Sequence, residues 1–220
     1  MARSRWRVWV GFEPIAGRDL TYRSESEIHT DQYPTRRLLL PEHTFLFADL
    51  VGFTALTDTW GDDRAADVAV GLYERVRGLL SSYRAEELKT LGDGVLLRCE
   101  DAGDGVGLAL RVVDELESLP GFPPVRVGVH TGPAIQRQGE WYGRTVNVAA
   151  RLCSAASGGE VLVSEQTRCA AGRLRRVDFG ERRLHWLRNV TQPIAAHVVS
   201  RASLRPCSIR SLSLTKEAVG

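Results

Sequence analysis

The sequence predicts an α+β fold: a ferredoxin-like split-βαβ core with an added C-terminal α/β subdomain. Three observations predict it. The run "HTFLFADL" at 43–50 is continuously apolar until its end, the pattern of a strand buried on both faces. A helical period follows through 62–83, and two short strands then meet at the corner "GDG" of 92–94. A second amphipathic stretch leads into "VRVGVHTG" at 125–132, which alternates strictly. Strand, helix, hairpin, helix, strand is the split-βαβ order, and a further helix and strands remain for the addition.

The elements follow in turn. Within residues 1–40, "RWRVWV" alternates like one strand, while "TYRSESEIHTDQYPTRR" is polar and without period. This segment is expected to be a partly disordered extension. Residues 41–200 form the expected domain. In its first helix Ala65, Val68, Ala69, Leu72, Val76, Leu79 and Tyr83 share a face, and Gly61 and Asp62 mark the start. "EELKTL" and "GVLLRCE" form the hairpin. The second helix runs from Asp104 to Leu119 and is stopped by Pro120. In the alternating strand Val125, Val127 and Val129 point one way. "RQGEWYG" reads as a polar and aromatic turn, Arg144 to Ala155 as a third helix, and "EVLVS" and "AAHVVS" as strands. The serine-rich tail at 201–220 is expected to be disordered.

Composition bounds the function. The 220 residues suffice for one domain with extensions, and 43% hydrophobic with 25% charged residues is ordinary for a globular chain. A formal net charge of +2 without a dominant basic block gives no case for a nucleic-acid partner. The four cysteines, at 99, 153, 169 and 207, have no CxxC spacing and read as reduced thiols. No apolar run reaches the roughly 18 residues of a membrane span, and "MARSRWRVWVGF" is too interrupted for a signal peptide. A cytoplasmic location is expected.

Chemistry concentrates at a few positions. Asp49 ends the buried strand, where a carboxylate is costly unless paired or ligated. Gly52 then frees the backbone so that successive N–H groups can face one point before a helix, a geometry that suits phosphate oxygens. If the strand pairs beside the 89–97 hairpin, Asp49 and Asp93 share a corner, and with a backbone carbonyl they make a hard-oxygen site for Mg²⁺ or Mn²⁺. Taken singly, Asp93 reads as a turn residue and Asp49 as a helix cap. Asn147 and Arg151 lie at i and i+4 on the third helix, with Arg144 on the same face. Alone they read as a solvated polar face, and Lys89 as a surface lysine.

In combination, "FADLVGFT", "KTLGDGV", "RVGVHTG" and "EWYGRTVNVAAR" strongly resemble the class III nucleotidyl cyclases, the adenylate and guanylate cyclase catalytic domain. The resemblance covers about residues 42–200 and is strongest to bacterial adenylate cyclases. It implies that Asp49, Asp93 and the carbonyl of Leu50 hold two ions of Mg²⁺ or Mn²⁺ per site. The amides of Gly52, Phe53 and Thr54 would then hold the triphosphate. Lys89 and Glu140 would read the purine, with Lys89 favouring ATP; Asn147 would position the ribose, and Arg151 would stabilise transition-state charge. It further implies a homodimer with shared sites that makes cyclic AMP and pyrophosphate. Guanylate cyclase is the near alternative, and a catalytically weak nucleotide-binding or regulatory module the distant one.

Two departures from the family's pattern stand out. Glu140 replaces the usual, shorter Asp. In "ERRLHWLRNV" the triphosphate-binding Lys-Gly pair is expected to be replaced by His185 and Trp186, with Arg182, Arg183 or Arg188 able to supply the charge instead.

Overall fold

The computed structural model describes residues 41–202, so the expectations for 1–40 and for the tail beyond 202 lie outside the described residues. The described chain begins with β1 (Glu42–Leu50), α1 (Phe53–Trp60) and α2 (Asp62–Leu80), the last running into a 3₁₀ turn at Ser81–Tyr83. The hairpin β2 (Ala85–Thr90) and β3 (Gly94–Cys99) leads to α3 (Ala102–Glu117) and β4 (Val125–Pro133). Next come β5 (Ile135–Arg137), β6 (Glu140–Tyr142), α4 (Arg144–Ala155), β7 (Val161–Ser164) and α5 (Glu165–Ala171). The described chain closes with β8 (Val177–Phe179), β9 (Arg183–His185) and β10 (Ile194–Arg201).

The main sheet runs β2-β3-β1-β4-β7-β10-β8, with β9 also on β10. Its first four strands have the antiparallel 4-1-3-2 neighbour order of a split-βαβ unit, as expected. The C-terminal addition joins through the parallel pair β4–β7.

Burial explains the central strands. Leu46, Ala48 and Leu50 of β1 enter the main core with Leu72 and Val76 of α2 and Val106, Ala109 and Val113 of α3. Phe45 faces the other way, into a smaller cluster with Leu96, Ala134 and Ala149. The strand is therefore apolar on both faces, and no alternation was readable in it. In β4, Val125, Val127 and Val129 enter the main core. Gly128 faces α4, where a Cβ would lie 2.1 Å from the Cys153 amide nitrogen and 2.6 Å from the Ala149 carbonyl oxygen. Only glycine lets α4 sit this close to the strand, and α4 carries Asn147 and Arg151.

Several elements depart from the sequence reading. The helix expected through Tyr83 ends at Leu80, and Tyr83 packs on the core from the 3₁₀ turn. The polar and aromatic turn is instead the two-stranded β5–β6 hairpin. α1, α5, β8 and β9 are short elements with too few residues to show a period. Cys99 and Cys153 are buried free thiols and Cys169 an exposed one. Among the described residues no helix is long and apolar enough to cross a membrane.

Candidate active site

The C-terminal end of β1 brings Asp49 opposite Arg126 of β4 on one side and Gly94 of β3 on the other. Asp49 is 5% exposed. Arg126 donates to Asp49 Oδ2 twice, from Nε at 2.9 Å and from a terminal nitrogen at 2.6 Å. The other oxygen, Oδ1, is buried with no hydrogen-bond partner. A Cβ at position 94 would stand 3.2 Å from that oxygen, so Gly94 keeps the space beside it open.

Asp93 sits at the β2–β3 corner, its carbonyl accepting from the Leu50 amide at 3.0 Å. Burial pushes its carboxyl above the usual range. Burial likewise pushes Asp49 up to about 6; the Arg126 hydrogen bonds oppose this and the charge of Asp93 adds to it. Arg126 offsets one of the two carboxylate charges and leaves Oδ1 of Asp49 orphaned, and hard oxygen donors of this kind fit a divalent cation. No cluster of three or more metal-ligating side chains occurs among the described residues, so Asp49 and Asp93 could supply only part of a coordination shell.

The start of α1 lies directly after this corner. Gly52 takes φ 78°, a left-handed value natural to glycine, and no side chain caps the helix. The first intrahelical bond runs from the Leu56 amide to the Gly52 carbonyl, and the first turn holds no acidic residue. The amides of Phe53 and Thr54 thus precede the helical ladder as ready anion donors.

A second group of residues lies elsewhere. Lys89 Nζ on β2 stands 3.6 Å from Glu140 Oε2 on β6, each side chain about half exposed (52% and 56%). Trp141, beside Glu140, packs edge-on against His43 with ring centroids 4.5 Å apart. His43 is at the start of β1 and Asp49 at its end, six residues or about 20 Å away. On α4, Val148, Ala149 and Leu152 are buried, while Asn147 is exposed and Arg151 half-buried. Neither Asn147 nor Arg151 has a side-chain partner among the described residues. The structure thus brings Asp49 to Asp93 and Lys89 to Glu140; through Leu96, Lys89 lies level with Phe47, two residues along β1 from Asp49 and two strands away from it.

The C-terminal turn lies beyond His185 and Trp186. His185 lies inside β9, paired with Ile194, and Trp186 is 79% exposed. The turn comes later: Val190 N–H donates to the Leu187 carbonyl at 3.1 Å, and Asn189 holds φ 61°. Asn tolerates the left-handed region better than most side chains, so Asn189 can stand where a turn favours glycine. Arg188 and Asn189 are the central residues of this turn, and His185 and Trp186 precede it. Sequence reasoning also missed Arg126, whose outward place in an alternating strand looks like any solvated arginine.

Comparison with known proteins settles the family. Residues 40–183 match the model of the adenylate and guanylate cyclase catalytic domain. The chain belongs to that family. It is 37% identical over 154 residues to a pH-sensitive adenylate cyclase of Mycobacterium tuberculosis, covering 66% of this chain and 38% of that protein. It is 38% identical over 117 residues to an adenylate cyclase of Streptomyces griseus, covering 53% of this chain and 29% of that protein. The chain therefore spans well under half the length of these relatives. Among solved structures, the adenylyl cyclase CyaB from P. aeruginosa superposes with TM-score 0.64 at 19% identity, covering 74% of this chain and 95% of that one. The guanylyl cyclase Cya2 gives TM-score 0.64 at 19% identity, covering 76% and 95%. Adenylyl and guanylyl cyclases thus share this cyclase fold alike.

Proposed function

We propose that the chain converts ATP to 3′,5′-cyclic AMP and pyrophosphate in a homodimer with two shared active sites. The observation that best supports this reading is the orphaned, buried Oδ1 of Asp49, beside Asp93 and directly ahead of the uncapped start of α1. Lys89 is paired with Glu140, and Asn147 and Arg151 on α4 have no side-chain partner among the described residues. A two-fold partner can set these four residues of one chain against Asp49 and Asp93 of the other, because an isologous contact creates each such pairing twice.

In this reading Asp49, Asp93 and the Leu50 carbonyl would hold two ions of Mg²⁺ or Mn²⁺. Such ions, when bound, lower the pKa of the ribose 3′-hydroxyl and offset phosphate charge. The chain's own residues do the rest. The amides of Gly52, Phe53 and Thr54 bind phosphate oxygens. Arg126 faces Asp49 and offsets its charge, and Arg188, on the turn, would supply the fixed cation of the family's lysine. Lys89 donates to adenine N1 and Glu140 accepts from its 6-amino group. Guanine presents the reverse pattern, so this pair disfavours GTP. The longer Glu140 reaches further than the usual Asp, and Lys89 meets it. Asn147 orients the ribose, and Arg151 faces the charge that builds at the α-phosphate during attack by the 3′-oxygen.

Subunit mixing tests the shared site. Asp49→Ala and Arg151→Ala homodimers should each be inactive, since every cleft is damaged. In a mixed dimer one cleft carries both defects and the other carries neither. Equal mixing makes half the dimers mixed, so activity should recover to about a quarter of wild type. Two separately dead variants that stay dead after demonstrated subunit exchange would refute the composite site.

A further inference from the structure

The purine-reading pair of the proposed function stands on two separate elements, and one cluster ties those elements together. Lys89 is on β2, just beyond a register irregularity at Glu87/Lys89. Glu140 is on β6 of a hairpin with three residues per strand, which lies outside the main sheet. So short a hairpin has no stable position of its own. Ile135 and Tyr142 are exposed at 40% and 54%, so the inward anchor of β6 is Trp141.

Trp141 is held from two sides. His43 meets it edge-on at 4.5 Å, and the Arg98 guanidinium lies over it with the carbon 4.9 Å from the ring centroid. Arg98 itself is fixed in turn. It donates from Nε to Glu86, the residue paired with it on β2, and from a terminal nitrogen to His43 Nδ1 at 2.8 Å. An arginine only donates, so His43 Nδ1 accepts and its proton sits on Nε2. Burial and the Arg98 charge lower the His43 pKa, in keeping with that neutral ring.

Arg98 therefore touches both halves of the pair's support: β2 through Glu86, and β6 through Trp141. The indole N–H of Trp141 is buried with no partner. A phenylalanine would avoid that unpaired donor, so hydrogen bonding does not account for the tryptophan. Its wide ring, clamped between an imidazole and a guanidinium, does.

We infer that Trp141, Arg98 and His43 are positioning residues for base selection: their stack holds the β5–β6 hairpin over β2 so that Glu140 stands opposite Lys89. The inference rests on the reading of Lys89 and Glu140 as the base-recognition pair. None of the three touches the reacting atoms. Their loss moves the carboxylate, and small displacements of a recognition group weaken discrimination steeply.

The experiment measures kcat and KM for ATP and for GTP, with Mn²⁺, for the wild type and for Glu140→Ala, Trp141→Ala, Trp141→Phe and Arg98→Met. Circular dichroism and a thermal midpoint check the fold of each. Glu140→Ala should lower the ATP-over-GTP ratio of kcat/KM. Trp141→Ala and Arg98→Met should lower the same ratio about tenfold, through KM for ATP, with GTP turnover nearly unchanged. Trp141→Phe keeps a ring in the clamp and should hold the ratio within about threefold of wild type. If Trp141→Ala fails to fold, Arg98→Met carries the test. A ratio lowered by Glu140→Ala but unmoved by Trp141→Ala and Arg98→Met would overturn the positioning role alone. A ratio unmoved by Glu140→Ala would overturn the base-reading pair, and this inference with it.

Discussion

Replacing Asp49 with asparagine should make the metal-free protein more stable at pH 8 while destroying its activity. The carboxyl is 5% exposed, one of its oxygens has no partner, and burial raises it from the ordinary 3.8 to about 6. A carboxyl raised on folding binds its proton more tightly in the folded chain than in the unfolded one. The contribution of this one group to stability is therefore full below pH 3.8, falls as pH rises through about 6, and is lost above it. At 1.36 kcal/mol per pH unit between folded and unfolded values, the ionised group costs up to about 3 kcal/mol. Asparagine keeps an oxygen for Arg126 and removes the charge, so the variant should recover most of that amount at pH 8 and nothing near pH 3.5. Urea unfolding in EDTA across this range measures it directly. Millimolar Mn²⁺ should raise the wild-type midpoint and leave the variant where it was, because only the ionised site gains from binding. A variant less stable than wild type at pH 8 in EDTA would refute the reasoning: Arg126 would then more than offset the burial of the charge.

Two further outcomes test the nucleotide site. Lys89→Glu combined with Glu140→Cys puts an acceptor where a donor stood and removes the acceptor opposite, so ATP turnover should fall sharply with a smaller gain for GTP; a double variant that keeps its full ATP preference would place base reading elsewhere. Arg188→Ala should raise KM for ATP several-fold at little cost in stability, since its side chain is exposed and without an ion pair among the described residues, while His185→Ala, within a strand, should leave KM nearly unchanged; steady-state kinetics of the two variants would reverse the assignment if the effects were exchanged.

What was legible in the sequence was whatever repeats along an element. The periods of α2, α3 and α4 and the alternation of β4 carry burial patterns several residues long, so these elements were found close to their limits. The three-residue strands β5, β6, β8 and β9 contain no full period; β5 and β6 pair only with each other, and β8 and β9 are placed by Val199 and Ile194 of β10. The same division runs through the site. Asp49 and Gly52 stood in unusual local company, a carboxylate closing an apolar run and a glycine before a helix, whereas Asp93, Asn147 and Arg151 were readable only through the four motifs taken together. Arg126 and Arg98 were invisible because each looks locally like an outward-facing arginine on a strand. Their partners Asp49, His43 and Trp141 are 77, 55 and 43 residues away in the first, second and third case. The shift of the C-terminal turn from His185 to Arg188 has the same origin. A left-handed residue identifies such a turn, and Asn189 can adopt that geometry without announcing it as glycine does. The candidate site residues were thus readable from sequence, whereas the arginines that contact them or their supports became visible only with the pairing of β1 to β3 and β4. A change of base selectivity in this chain is accordingly expected from both kinds: from Lys89 and Glu140 by altering the donor and acceptor, and from Arg98 and Trp141 by altering where these two meet.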